Sequence, residues 1–460
     1  IRQQVRDVHA WQQDMDFQGI NGSKNAAPFL DTAYLGEDNG FGFSNIPWAS
    51  PYVAWDMYQA DQSLFVSSNS QLISARKFYL QNSQRIQETV SAFFIQHELK
   101  LVNNRLNIVY GVRYEKTEDE GEGLLANLSP DGKVDTLGEI DDYWSERAKT
   151  SKKKYDGYYP SINANFSITE DTIVRAGFAK TFGRPNFGSI IPLVRYNDTN
   201  QLVNDGIGNI DPYDATVRNP GLKPYGAKNY DLTVEHYLPK AGLVSARGFI
   251  KDIDNFFYSL KRDLTMEDFI YYDIPTDHAA EMISGGGQIS TTINSVDSAR
   301  LSGIELTYRI AQLPYIPVSF GRAGFFVSYT NQHTSGAGAR NFTNFAPRLA
   351  NARVDYHIGK FSATVGWNYT SERRTSDLTG SNVGGAINGF SSYIPERSTI
   401  DVSADYQISK RWTIFANARN VFNEANSIVE NVSDLSPAYS EIGRYEEYGV
   451  LINLGVKAAF

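Results

Sequence analysis

The sequence predicts an all-β chain folded as an antiparallel transmembrane β-barrel. Three observations carry that prediction: residues that alternate apolar and polar, alternating runs of ten residues or more, and connections that switch between short and long. In 361–369, Phe361, Ala363, Val365, Trp367 and Tyr369 take one face, while Ser362, Thr364, Gly366 and Asn368 take the other. Side chains on a strand alternate in this way. A helix would repeat at i, i+3, i+4 and i+7. Soluble sandwiches and propellers use strands of about five or six residues and have no reason to sort their connections by length.

Thirteen segments carry the pattern, near 86–99, 105–117, 154–168, 171–183, 227–238, 242–256, 298–311, 318–332, 345–358, 360–373, 393–408, 410–422 and 443–460. Short links follow Leu101 and lie near 170–171, 239–242, 312–317, 359–360 and 409–410. Long loops are expected near 118–153, 184–226, 257–297, 333–344, 374–392 and 423–442. Short turns on one rim and long loops on the other mark an outer-membrane barrel. Single-chain bacterial barrels have an even strand count, with both ends in the periplasm. Thirteen is odd, so residues 1–85 are expected to hold the end of one more strand, about Ile1 to Val5, and then a long extracellular loop. The chain is thus expected to be the C-terminal part of a larger barrel, lacking its true beginning.

Composition narrows the function. The net charge of -9 speaks against nucleic acid, which needs a basic face. The absence of Cys excludes disulfides and thiolate sites. Mean hydropathy is -0.38, and no run approaches the roughly 18–20 apolar residues of a membrane helix. Barrel strands leave no such peak. The six His are scattered without an H-E-x-x-H spacing, and no G-x-S-x-G elbow occurs. The glycines at 285–287 lack the Lys-Ser/Thr of a phosphate loop. No enzyme, no resident metal and no cofactor are expected. Acidic runs at 118–123, 139–144 and 211–214 leave Ca²⁺ as a weaker expectation, because the spacing of a calcium loop is missing.

Alternation assigns faces. Arg113, Arg175, Glu235, Glu305, Arg309, Arg353, Asp355, Asp401 and Arg419 are expected to face the lumen. They would form either a socket for a plug or a hydrated wall. Tyr110, Tyr114, Phe325, Tyr329, Trp367, Tyr369, Tyr406 and Trp412 suit the aromatic girdles of the lipid face. In the long loops, Tyr143, Trp144, Tyr196, Tyr213, Phe256, Phe257, Tyr271 and Tyr272 stand near carboxylates. Rings that stack on C–H faces and acids that accept hydroxyl protons suit a sugar. Equally, such rings can pack on one another to order the loops. In 219–224, Asn219 is expected to cap a turn, Gly221 to supply positive φ, and Pro220 and Pro224 to stop strand pairing.

The stretches 175–192, 217–257, 301–309 and 415–426, with the terminal strand ending in Phe460, resemble the C-terminal part of a TonB-dependent outer-membrane receptor. The resemblance covers nearly all of 86–460 and is nearest to a proteobacterial branch associated with carbohydrate uptake. It implies a 22-stranded barrel, with an N-terminal plug and a TonB box that lie outside this sequence. It implies import of a small-molecule nutrient across the Gram-negative outer membrane by a monomeric barrel, energised by TonB-ExbB-ExbD. An oligosaccharide is the preferred ligand, and a ferric siderophore or other metal chelate the alternative. A passive adhesive barrel or phage attachment site is the reading from another class. Implied partners are outer-membrane lipid and lipopolysaccharide, the barrel-assembly machinery, which would read Phe460, and a surface lipoprotein.

Overall fold

The computed structural model describes residues 1–20, 24–25, 27–31, 49–126, 136–197, 214–239, 241–274, 276, 279–380, 385–431 and 441–459. Fourteen strands of its eighteen-stranded main sheet form one antiparallel up-and-down wall. In chain order they are β1 (Arg2–Val8), β2 (Gln84–Leu101), β3 (Leu106–Ala126), β4 (Trp144–Ser167), β5 (Thr172–Gly183), β6 (Tyr225–Leu238) and β7 (Gly242–Asp254). The wall continues with β8 (Ala299–Ile310), β9 (Arg322–Ser335), β10 (Arg348–Ile358), β11 (Phe361–Thr370), β12 (Arg397–Gln407), β13 (Trp412–Arg419) and β14 (Leu451–Ala458). Each pairs with the next in the chain. Each of the thirteen expected segments contains a strand of this wall, and Arg2–Val8 is a further one, paired with 84–90. Among the described residues, β1 and β14 are the edges of this wall.

The short links are tight because their residues tolerate left-handed backbone. Asn103 and Asn104 have φ of 55 and 66°, and Gly359 has φ 55° in a two-residue turn. The other rim carries long connections with structure of their own. Residues 9–83 hold two helices, α1 (Pro51–Ala60) and α2 (Asn69–Asn82). Ser68 and Gln71 close a capping box at the start of α2. Ile73 and Leu80 of α2 pack with Leu124 and Ile140.

Two expected loops are corrected. Residues 118–126 and 144–153 are strand, extending the β3–β4 hairpin. Cross-strand charge supports the extension: Glu120 pairs with Lys152 opposite it, and Glu118 lies opposite Lys154. Residues 373–380 and 385–394 pair as strands in a second sheet with 426–431 and 442–446.

Register connects the faces across the wall. Arg113 shares its face with Tyr159, Arg175 with Thr233, Glu305 with Arg247, and Arg353 with Gly366 opposite Asp401. Followed strand by strand, all nine residues expected on the lumen side lie on a single face. All eight expected girdle aromatics lie on the other. That outer face is apolar along β3 at Leu106, Ile108, Tyr110, Val112 and Tyr114, and turns charged at Lys116. Nine residues separate the polar ends, the span of about 9–11 that crosses an apolar layer.

Candidate functional site

The site forms where long connections fold inward over the polar face. Segment 184–193, which follows β5, lies against β2 and β3, with Ile86, Ile190, Ile191 and Leu222 closing a small core. Gly121 and Gly123 make the contact close enough: a Cβ on Gly123 would stand 1.7 Å from the Pro192 carbonyl oxygen. Beneath this cover sit three buried carboxylates, Glu88, Glu115 and Asp119. Arg184 pairs with Glu115 and, at 3.5 Å, with Glu88. Arg113 holds the other oxygen of Glu115 at 2.5 Å. Arg184 is thus the central cation of a covered cluster. Asp119 lies above the apolar span and keeps one buried oxygen without a partner. Burial first, then the nearby Glu88 charge, push its pKa up to about 6, against a smaller opposing pull from Arg184.

Two connections then build one cap. Strands 194–197 and 214–217, from between β5 and β6, join strands 257–263 and 288–294, from between β7 and β8. Their shared core is Val194, Ala215, Val217, Leu264, Phe269, Ile274, Ala279, Met282 and Ile289. Asp268 caps its own helix start through Thr265 and accepts two hydrogen bonds from Arg262. Asn219 joins the halves, donating to the Thr292 carbonyl at 3.0 Å and accepting from Gly221 N–H at 2.8 Å. Its capping role holds. Gly221 differs from expectation, since it is not among the positive-φ glycines. Its small size is what counts: a Cβ would meet Asn219 Oδ1 and Tyr271 Oη, each at 2.8 Å.

Between cap and β3–β4 hairpin lies a cleft of about 270 Å³, lined by Lys149, Lys153, Arg218, Tyr271, Tyr272 and Asp273 among others. Lys149 is tied to Asp273 and to the Tyr272 carbonyl. Lys153 has no ion-pair partner among the described residues. Arg218 donates to Gln84 Oε1 at 2.5 Å, and its pKa is lowered by burial and then by the neighbouring Arg195 charge. Arg195 is likewise lowered by burial, and its Nε has no partner. Among the described residues Asp273 is the single carboxylate lining the cleft. The balance is cationic, which the acidic loop sequences did not suggest.

The expected ligand-contacting rings divide. Tyr271 and Tyr272 line the cleft, edge to face at 4.8 Å, with Tyr271 67% exposed. Phe256 packs on Phe342 and Phe257 on Tyr225. The backbone of Tyr143, Trp144 and Tyr196 is strand or helix; their side chains, all of Tyr213, and Phe460 lie outside the described residues. The acids are employed locally: Glu120 pairs with Lys152 at 3.0 Å, Asp214 with Lys261 at 3.0 Å, and Glu139 accepts from Thr136 N–H. On the polar face, Arg175 grips Glu235, and Arg247 bridges Asp231 and Glu305. Arg353 pairs with Asp355 at 2.9 Å, and Asp401 accepts from Asn420 N–H at 2.9 Å. Arg309 lies opposite Leu243 and Phe326, and Arg419 opposite Leu451. Among the described residues no group of His, Cys, Asp and Glu could hold a metal ion.

Comparison with known proteins agrees with this architecture. The profile of the TonB-dependent receptor-like β-barrel matches residues 5–421. Comparison with curated protein sequences finds no match. Among solved structures, the copper transporter OprC aligns with TM-score 0.52 and 13% identity over 82% of this chain and 49% of that one. A mutant of the ferric enterobactin receptor PfeA from Pseudomonas aeruginosa, in complex with enterobactin, aligns with TM-score 0.53 and 15% identity over 83% and 56%. The ferric-catecholate import receptor Fiu from E. coli K12 aligns with TM-score 0.51 and 14% identity over 82% and 45%. The chain spans about half the length of these structures, and the likeness is one of fold. With a profile match over most of its length and a wall of spanning strands, the chain belongs to the TonB-dependent receptor family, β-barrel proteins of the Gram-negative outer membrane.

Proposed function

We propose that this chain forms the ligand-capturing wall of a TonB-dependent importer, and that its ligand is an anionic metal chelate of the siderophore kind. The single observation that carries the choice of ligand is the cationic cleft. Lys149, Lys153 and Arg218 line it, Arg195 lies half-buried beside Arg218, and among the described residues one carboxylate faces them. Poorly compensated guanidinium groups are stabilised by an incoming anion. The oligosaccharide expectation rested on loop acids, and of these Glu120 and Asp214 are engaged with lysines and Glu139 with backbone. The exposed ring of Tyr271 still favours a sugar as the second reading.

In this proposal, the polar face of Arg175, Glu235, Arg247, Glu305, Arg353 and Asp355 lines the pore and seats a plug. TonB-ExbB-ExbD would supply the energy from the inner membrane, since the outer membrane holds no ion gradient of its own. The test is uptake of an isotopically loaded anionic ferric chelate by cells carrying wild type, Lys153→Gln or Arg218→Gln. Half-maximal concentration should rise roughly tenfold for each lost charge-assisted contact. Normal growth of a deletion strain under iron limitation, with failure on a single glycan, overturns the chelate in favour of the sugar.

A further inference from the structure

The outer face of β5–β8 is layered. Its uppermost complete row runs Lys180, Lys228, Asp252, Arg300, with Ser335 of β9 beyond, each directly opposite the next. The row below is Phe178, Tyr230, Ile250, Ser302. Below that come Ala176, Leu232, Gly248 and Ile304, then Val174, Val234, Ala246 and Leu306. Charge, then aromatic rings, then aliphatic side chains is the sequence from headgroups into hydrocarbon.

Two features of this face call for a ligand. Arg300 and Asp252 neutralise each other through two hydrogen bonds of 2.6 and 3.1 Å. Lys180 and Lys228 form a like-charged cross-strand pair, both exposed and without a hydrogen-bond or ion-pair partner among the described residues, and Lys228 has only a share of the Asp252 charge that Arg300 already holds. Like charges directly opposite are destabilising unless an anion lies between them. Directly below, a groove of about 640 Å³ is lined by Tyr230, Leu232, Ile250 and Ile304 around Gly248, with Asn331 and His333 of β9 along its far edge. A Cβ on Gly248 would meet nothing within 4 Å, so the groove is open above the missing side chain. A second hollow of about 410 Å³ adjoins Lys228, Asp252 and Arg300 at headgroup height.

We infer that this face holds one phosphorylated lipid of the outer leaflet, its phosphate on Lys180 and Lys228 and an acyl chain in the groove over Gly248. The inference rests on the membrane placement of the chain, and is independent of the ligand proposed for the cleft. An acyl chain alone would leave the two lysines with only the Asp252 charge that they share with Arg300. A phosphate alone would leave the groove to mobile lipid. One molecule with both parts satisfies the two together.

The test uses the full chain purified from outer membranes in nonionic detergent. The probe is a bisphosphorylated, acylated glucosamine disaccharide, with bound probe counted by native mass spectrometry. Lys180→Gln with Lys228→Gln should weaken binding roughly thirtyfold, at about tenfold per 1.4 kcal/mol and about 1 kcal/mol per basic residue. Removing the probe's phosphates should weaken wild-type binding similarly and leave that variant unaffected. The double Lys→Arg variant should bind as wild type, which separates lost charge from lost folding. Gly248→Leu, which fills the groove, should weaken both forms of the probe. Equal binding by the double Gln variant overturns the inference. Full displacement of probe by inorganic phosphate alone overturns it in favour of a free-anion site. Absence of the chain from the outer-membrane fraction overturns the membrane placement, and this inference with it.

Discussion

The polar face is lined with ion pairs from end to end, but its two halves differ in what covers them. Over β2–β5, segment 184–193 closes on the wall, and the carboxylates of Glu88 and Glu115 are 7% and 8% exposed. Over β10–β14, Asp355 and Asp405 pair with Arg353 and Lys457 while 44% and 38% exposed. The residue types are alike and the distances similar. What differs is water, and therefore energy. Under cover, a carboxylate that loses its cation has nothing to replace it. In the open, solvent replaces the partner at little cost. A row of Arg and Glu on a barrel strand thus says little by itself about which pairs hold the molecule together.

Arg184→Ala should break this contrast hardest. It leaves covered Glu88 without a cation and Glu115 with Arg113 alone, and removing one partner of such a group costs about 3–5 kcal/mol. We expect early thermal unfolding and rapid hydrogen exchange in 184–193, with β10–β14 unchanged. The next effect is one of pH. The Asp119 pKa is raised to about 6, so its neutral form suits the fold better than its charged form. The stability it contributes is full below pH 4 and is lost as pH rises through 6. Asp119→Asn should therefore stabilise the chain at pH 7 and flatten that part of its pH profile, read as melting temperature in detergent. A wild-type profile that rises between pH 4 and 6 at this position would refute the assignment. The smallest effect belongs to the open half. Arg353→Ala should shift stability by about 0–1 kcal/mol, and less in high salt.

Much of the wall was legible in the sequence because a strand's alternation is local. Phe361 to Thr370 can be read without knowing what lies beside them, and register then carries each face across the sheet. The covered site was less legible because its causes are distant in sequence. The acids at 118–122 look like a binding surface until Lys152 and Lys154 stand opposite them. Arg184 looks solvated until the chain turns back over Glu115. Gly221 looks like a backbone hinge until Tyr271, fifty residues on, takes the place of its side chain. The cap core of Val217, Phe269 and Ile289 comes from two connections, neither of which shows a core of its own. Loops of this length had to bury something, but only the fold says with whom.

That shared core has a consequence for changing what the protein captures. Phe269 and Ile289 reach across to Val194, Ala215 and Val217, so neither connection has a complete interior alone. Transplanting one of them into another barrel would carry half a domain. A successful graft must move 184–224 and 255–298 as a matched set, and variation that survives in one should be answered by variation in the other.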